Sequence, residues 1–325
     1  MKTASAAEVR TGIKSPMTAP SISLPQGYTA RPLVMEDAPA VTALVGAEEL
    51  HDIGEVLIEE ADYVSDWQRP SFDLTTQTLG VWHGDGPGST VVAFGMVDHD
   101  RGDAAVHPEH RRQGIGTAVA GWMQDCARAQ GMTVLGAPVP QGKAADQLLE
   151  KLGYRVRWNS WVLELLDGAT IAERELPDGI AVREATSDDY EAVWTVTEDA
   201  FLEWSDRDRQ TFEDWQAAVP GRPGFEPWNI RVATDPTGAV VGTANVHLNV
   251  DSDRPSAYID RLATNKQHRN LGLAQALLVD SFAVGAEHGA VRSELSTDSR
   301  TGALTLYDKV GMSVTSVWVN RAKDL

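Results

Sequence analysis

Two short glycine-bearing stretches, 158 residues apart, constrain this chain more than any other feature. The first is Arg111-Arg112-Gln113-Gly114-Ile115-Gly116 and the second is Arg269-Asn270-Leu271-Gly272-Leu273-Ala274. Each follows an apolar, strand-like run and opens into a long apolar-periodic segment. The same offset carries Gly153 onto Gly311 and Leu152 onto Val310. An offset held over about forty residues is an internal repeat, so the chain folds as two copies of one unit.

Glycine at a strand-to-helix turn lets the backbone reach positive φ and lets a ligand come close. The first N–H groups of the following helix have no partner within it. With the helix dipole they make an anion site suited to phosphate. Arg111, Arg112 and Arg269 add charge at the mouth of such a site. No G-K-[ST] follows either glycine stretch, and G-x-G-x-x-G is completed at neither. The nucleoside-triphosphate and dinucleotide patterns are therefore absent.

These residues resemble the acetyl-CoA signature R/Q-x-x-G-x-G/A of the GNAT superfamily of N-acetyltransferases. Val106-His107-Pro108-Glu109-His110 looks like that family's lead-in, and Tyr307-Asp308-Lys309-Val310-Gly311-Met312 like its closing segment. The resemblance runs from about Gly27 to Asn320 as two family domains in tandem. The layout is similar to that of mycothiol synthase and of some antibiotic acetyltransferases, and the motifs select neither. The implied fold is α/β: two GNAT-like domains, each a mixed twisted sheet flanked by helices.

Length and composition agree with that count. Each half of a 325-residue chain can bury its own core. A net charge of −19 argues against a nucleic-acid partner, and it suits either a cationic acceptor or plain solubility. The single cysteine, Cys126, excludes internal disulfides and a cysteine-built metal site. His107 and His110 straddle a proline, which spoils ligand geometry, so no metal is expected. No apolar run reaches the roughly 18 residues of a membrane span. A cytoplasmic monomer or homodimer is the expectation.

In chain order, residues 1–26 read as a flexible leader, 27–166 as the first domain, 167–178 as a charged linker and 179–325 as the second domain. In the first domain, strands are expected at 78–82, 91–97, 103–106, 133–138, 154–158 and 161–165, with helices at 116–130 and 143–151. The second repeats this order, with strands at 230–234, 240–249, 258–263, 291–296 and 313–320 and helices at 272–288 and 301–309. A polar loop is expected over 249–255.

Acetyl transfer to an amine needs a held pyrophosphate, donors at the thioester carbonyl, a base for the ammonium and an acid for the departing thiolate. By resemblance, the strand before each turn pairs with the pantetheine arm and polarises the carbonyl. This falls on Leu262 and Thr264 in the second domain and on Val106 in the first. The phosphates fall on Arg269, Asn270, Leu271, Gly272, Leu273 and Ala274, and on Arg111, Arg112, Gly114, Ile115 and Gly116. The acid falls on Tyr307, four residues before Gly311; the corresponding first-domain residue is Leu149, which has no proton to give. Catalysis is therefore expected in the second domain, with the first as a cofactor-binding or structural partner. A core aromatic is the plainer reading of Tyr307.

Asp260 is the first candidate base, expected to share a strand face with Leu262 and Thr264; Glu294 and His247 are the others. A salt bridge to Arg261 is the alternative for Asp260. Arg300 stands where the family often has Asn, so a phosphate contact from it is open, as is a helix cap from Ser299 or Thr301. The aromatic and acidic stretch from Glu198 to Trp228 is either a lid over a cationic small-molecule acceptor or an amphipathic helix packed on the core. The co-substrate expected is acetyl-CoA, with a small-molecule amine as acceptor, cationic or an antibiotic. The rival is a non-catalytic acyl-CoA-binding sensor or scaffold.

Overall fold

The computed structural model describes residues 21–84, 86–166, 169–249 and 254–325. The strands are β1 (Tyr28–Arg31), β2 (Thr78–His83), β3 (Thr90–Asp98), β4 (Arg101–Val106), β5 (Val134–Pro140), β6 (Arg155–Leu165), β7 (Ala181–Glu184), β8 (Ile230–Thr234), β9 (Val240–Asn249), β10 (Ser256–Thr264), β11 (Arg292–Asp298) and β12 (Met312–Asp324). The helices are α1 (Ala38–Asp52), α2 (Glu60–Trp67), α3 (Leu74–Gln77), α4 (Ile115–Ala129), α5 (Ala144–Lys151), α6 (Tyr190–Phe201), α7 (Phe212–Ala218), α8 (Leu273–Glu287) and α9 (Leu304–Lys309).

All twelve strands form one mixed sheet in the order β1-β2-β3-β4-β5-β12-β6-β11-β10-β9-β8-β7. The order shows an exchange. Strand β6 belongs to the first half of the sequence but pairs with β11 of the second, through Glu294↔Glu164 to Asp298↔Ser160. Strand β12 ends the second half but pairs with β5 of the first, from Trp318↔Pro140 to Asp324↔Val134. The two exchanged strands also pair with each other from Met312↔Leu165 to Ala322↔Arg155. Side chains follow the strands: Leu163 of β6 is buried in the second-half core with Leu277 and Leu295, and Val319 of β12 is buried with Ala137, Leu149 and Tyr154 of the first half.

Both sheet faces are covered, which is why β2 and β3 read as continuous apolar runs. In the first half, α4 buries Val119, Trp122, Met123 and Cys126 on one face. On the other, α1 and α2 bury Val41, Leu44, Tyr63 and Trp67 against Phe94 and Met96. In the second half, α8 buries Leu273, Leu277, Leu278 and Phe282 against Val246, Ile259 and Leu295, while Val196 and Ala200 of α6 pack on Ala263.

Some expectations change. The strands foreseen at 154–158 and 161–165 are one strand, β6, because it is hydrogen-bonded on both edges across its polar Asn159-Ser160 centre. Helix α9 starts only at Leu304, since Thr301 turns back to bond Asp298 O. Helices α2 and α3 were not foreseen. Ile22 and Leu24, from the expected leader, pack on the first-half core; residues 1–20 lie outside the described residues, as do Asp167 and Gly168 of the expected linker and residues 250–253 of the expected loop. Within the expected linker, Ile171 is buried in the second-half core. Among the described residues no helix is long and apolar enough to cross a membrane.

Because each half is completed by the other's last strand, the chain should unfold as one unit. Leu163→Ala is expected to cost about 2–5 kcal/mol and to lower a single transition seen equally by far-UV circular dichroism and tryptophan fluorescence in urea. Two separate transitions would contradict this cooperativity.

Candidate active site

The two glycine turns are built alike. Gly114 and Gly272 occupy the N-cap positions of α4 and α8 with φ of 85° and 90°. Two residues earlier, Arg112 and Asn270 also have positive φ, 63° and 64°. Side chains rarely adopt this region, and its repetition at equivalent places points to a backbone shaped for a ligand. Gly116 packs on β4, where a Cβ would meet Leu148 at 3.0 Å and Val106 at 3.6 Å.

The first arginine of each turn is engaged by carboxylates. Arg111 makes two bonds to Asp52 at 2.8 and 2.9 Å, one to Glu48 at 3.1 Å, and donates from Nε to the Val106 carbonyl at 3.1 Å. Burial pushes the Glu48 carboxyl up to about 7 despite Arg111. Arg269 forks onto Glu203 at 2.9 and 2.7 Å. Neither guanidinium is left free at the mouth of its turn.

Each half has a wedge in its sheet. Strand β10 pairs with β11 only from Ser256↔Arg292 to Ile259↔Leu295, so residues 260–264 part from β11. Leu262 and Thr264 stand on this open edge, their other edge paired to Ala244 and Gly242 of β9. The β4–β5 pairing is reduced to Arg101↔Gly136, leaving Val106 likewise open toward β5. An open strand edge can take an extended ligand arm as an added strand.

The wedges differ where chemistry would occur. The β9–β10 register slips between Ile259 and Arg261, making Asp260 the extra residue of a β-bulge, whereas β3–β4 pairs without a shift. A bulge leaves backbone groups outside the ladder and re-aims side chains. It also corrects the expected face of Asp260. Ile259 before the bulge and Leu262 after it both pack on the α8-side core, so alternation changes phase and Asp260 does not share the Leu262 face. Gly102, paired to Val97 without a shift, is the counterpart of Ile259, paired to Val246, so the bulge residue Asp260 has no counterpart in the first half. A Cβ at Gly102 would lie 2.2 Å from the Met123 methyl, on the α4 face of the sheet.

Around the bulge, charge is arranged closely. Burial works to raise the Asp260 carboxyl, but Arg261, His247 and Arg222 outweigh it and hold it below the usual carboxylate value. Arg261 bonds Asp260 Oδ1 at 2.8 Å. His247 is pushed down by burial, partly countered by Asp260, and is therefore neutral at pH 7. Tyr307 is buried in the second-half core, and burial raises its hydroxyl to about 12, so it is fully protonated. Leu149 holds the equivalent place in α5. Glu294 lies 3.6 Å from Arg292, which also reaches Glu55, in a contact between the halves. Arg300 is held by Asp298 and stacks over Trp158 at 3.6 Å and Trp204 at 4.8 Å. Thr301 accepts from Ala303 N at the start of α9, and Ser299 instead contacts Asn159 N.

Two cavities flank this centre. The smaller, about 280 Å³, lies beside the second turn, between Val196, Ala200 and Glu203 on one side and Thr264 and Lys266 on the other. The larger, about 460 Å³, lies between the halves, lined by Glu59, Glu60 and Val64 of the first and by Arg222, Glu226, Trp228, Asn245, His247 and His288 of the second. Arg222, 9% exposed, clamps it by bonding Glu59 at 2.6 Å and Asp62 at 2.7 Å. Asn245 is buried with neither amide atom hydrogen-bonded among the described residues. Part of the aromatic stretch packs inward: Phe212 stacks on Trp215, which is buried in the second half. Its end, from Val219 to Trp228, lines the larger cavity, with Trp228 stacked on His288 at 4.0 Å. The first-half carboxylates Glu59, Glu60 and Asp62 were missed from sequence, since nothing local ties them to a site some 160 residues away. Removing the clamp with Arg222→Ala strands two carboxylates in the interface and is expected to cost about 3 kcal/mol, read from urea unfolding; an unchanged midpoint would refute it.

Comparison with known proteins agrees with this geometry. Residues 182–312 match the Acetyltransferase (GNAT) family and residues 79–156 the Acetyltransferase (GNAT) domain. The mycothiol acetyltransferase of Salinispora arenicola is 32% identical over 231 residues, covering 67% of this chain and 71% of that protein. A GCN5-related N-acetyltransferase from Sphaerobacter thermophilus superposes with a TM-score of 0.70 at 26% identity, covering 93% and 97% of the two chains. A tandem GNAT protein from the clavulanic acid biosynthesis pathway shares the fold, with a TM-score of 0.65 at 18% identity over 91% and 98%. Two glycine turns, two wedged sheets and two matched domains come together in one statement: the chain belongs to the GNAT family, as a tandem-domain N-acetyltransferase.

Proposed function

We propose that the protein moves an acetyl group from acetyl-CoA to the primary amine of a small molecule, and that the second half, 179–325, carries the chemistry. The observation behind this reading is the asymmetry of the wedges. The bulge at Asp260 and the hydroxyl of Tyr307 occur in the second half alone; the unshifted β3–β4 ladder has no counterpart of Asp260, and Leu149 stands at the place of Tyr307. Positive φ at Asn270 and Gly272 fits a pyrophosphate, and the open edge of residues 260–264 fits a pantetheine arm. Acetyl-CoA, when bound, supplies the activated thioester.

The amine enters from the cavity between the halves, which meets the bulge at His247. Its carboxylates favour a cationic acceptor, and the relatives named mycothiol acetyltransferase support a small-molecule one. His247, neutral through burial, takes a proton from the ammonium, and the Asp260 carboxylate stabilises the imidazolium that results. Asp260, held below the usual carboxylate value, acts on the base rather than as the base. The bulged backbone offers an unpaired N–H where the carbonyl oxygen becomes negative. As the nitrogen–carbon bond forms and the carbon–sulfur bond breaks, Tyr307 gives its proton to the sulfur. The first half walls the acceptor cavity through α2, and its own turn serves structure or a second acyl-CoA.

The test is steady-state release of CoA thiol with an amine panel, beginning with the acceptor of the mycothiol acetyltransferases. His247→Gln is expected to lower kcat about 10²–10⁴-fold, and Tyr307→Phe less, since a thiolate is a fair leaving group unaided. Protonation silences His247, so kcat/KM should rise with pH, with the midpoint of the rise below the ordinary histidine value of about 6.5. Full turnover in both variants would sink the assignment and favour a sensor or scaffold role.

A further inference from the structure

We infer that Arg174, from the segment joining the two halves, is a phosphate-binding residue of the second glycine turn. It supplies there an exposed arginine, as Arg112 does at the first. The inference rests on the acyl-CoA reading of that turn.

The side chain of Arg174 lies directly on the turn. A Cβ added to Gly272 would sit 2.9 Å from Arg174 Cδ, 3.3 Å from Nε and 3.4 Å from Cγ. At Gly114 in the first turn, nothing lies within 4 Å of the same added atom. The joining segment is fastened to the second half on both sides of Arg174. Gln275 Nε2 of α8 donates to the Ala172 carbonyl at 2.6 Å. Ile171 is buried in the α8 core, and Leu176 packs against it. Arg174 is thereby delivered to the first turn of α8 by apolar anchors on either side.

Its guanidinium makes no ion pair or hydrogen bond among the described residues. In a chain of net charge −19 that is unusual, and it contrasts with Arg269 close by, which forks onto Glu203. The internal repeat explains why a cation is wanted. The second position of the turn is Arg112 in the first copy and Asn270 in the second, with the same positive φ. The first turn therefore has one arginine engaged by carboxylates, Arg111, and one exposed, Arg112. The second has Arg269 engaged and a neutral Asn270. Arg174 restores the missing charge from outside the repeat, and glycine at 272 leaves room for its stem. A guanidinium above the N–H groups of a helix start suits an anionic phosphate group.

Calorimetric titration tests this with acetyl-CoA, 3′-dephospho-acetyl-CoA and acetyl-pantetheine, with hydrogen exchange of residues 269–276 to localise binding. Arg174→Ala is expected to weaken acetyl-CoA at the second turn about tenfold and to leave acetyl-pantetheine unaffected. The double variant Arg174→Ala with Asn270→Arg should recover most of that loss, which a merely structural role for Arg174 would not produce. A loss kept with the 3′-dephospho ligand assigns the pyrophosphate; a loss seen only with acetyl-CoA assigns the 3′-phosphate. Wild-type protection of 269–276 with unchanged affinity in Arg174→Ala overturns the inference. Tighter binding in that variant also overturns it and makes the segment a cover over the turn. No protection of 269–276 in the wild type removes the acyl-CoA reading itself.

Discussion

The pairing of β6 with β12 is the interaction on which the rest of this molecule depends. It runs from Met312↔Leu165 to Ala322↔Arg155 at the centre of the sheet, and each strand belongs by sequence to one half and by packing to the other. Twelve strands then form one continuous ladder, with no exposed inner edges where the halves meet. The relative position of the halves is set by backbone hydrogen bonds and buried side chains such as Leu163 and Val319, a far stiffer join than a surface contact between two separate domains. That stiffness matters for the site. The cavity beside the Asp260 bulge takes one wall from α2 of the first half and another from the Arg222 segment and β9 of the second.

Two copies of one unit have diverged by small substitutions with large physical effects. The turns keep their shape, down to a positive φ at a non-glycine residue in each. The wedges do not. A bulge inserts a carboxylate, Asp260, into β10, whereas β4 pairs with β3 without a shift. Leu149 replaces a hydroxyl, and Arg111 caps the Val106 carbonyl at the open end of its own wedge. The first half also lends surface to the second, through α2 at the cavity between them.

Carboxylates outnumber cations by 47 to 28, so most arginines near the sites are neutralised by near neighbours. Arg111 with Asp52 and Glu48, Arg222 with Glu59 and Asp62, and Arg269 with Glu203 each hold elements that are distant in sequence. Burial then decides the titration of groups near the bulge: His247 loses its charge, and Tyr307 keeps its proton. Asp260 stays below the usual carboxylate value because Arg261 and Arg222, with the His247 imidazole, outweigh its burial.

The sequence by itself determined the repeat, the two turns, most strands to within a few residues and the Tyr307–Leu149 asymmetry. All of these follow from local signals: glycine positions, period-two alternation and a constant offset. The hairpin of β8 and β9 was placed residue for residue, because an Asp-Pro-Thr-Gly turn and flanking β-branched runs leave little choice. The tertiary structure alone decided the exchange of β6 and β12, since the strands are equally apolar and periodicity cannot choose a partner. It alone decided the face of Asp260, because one extra residue in a ladder reverses every side chain beyond it. The same holds for the inter-half cavity and for Arg174 on Gly272, contacts between residues about 100 or more apart that no window along the chain contains.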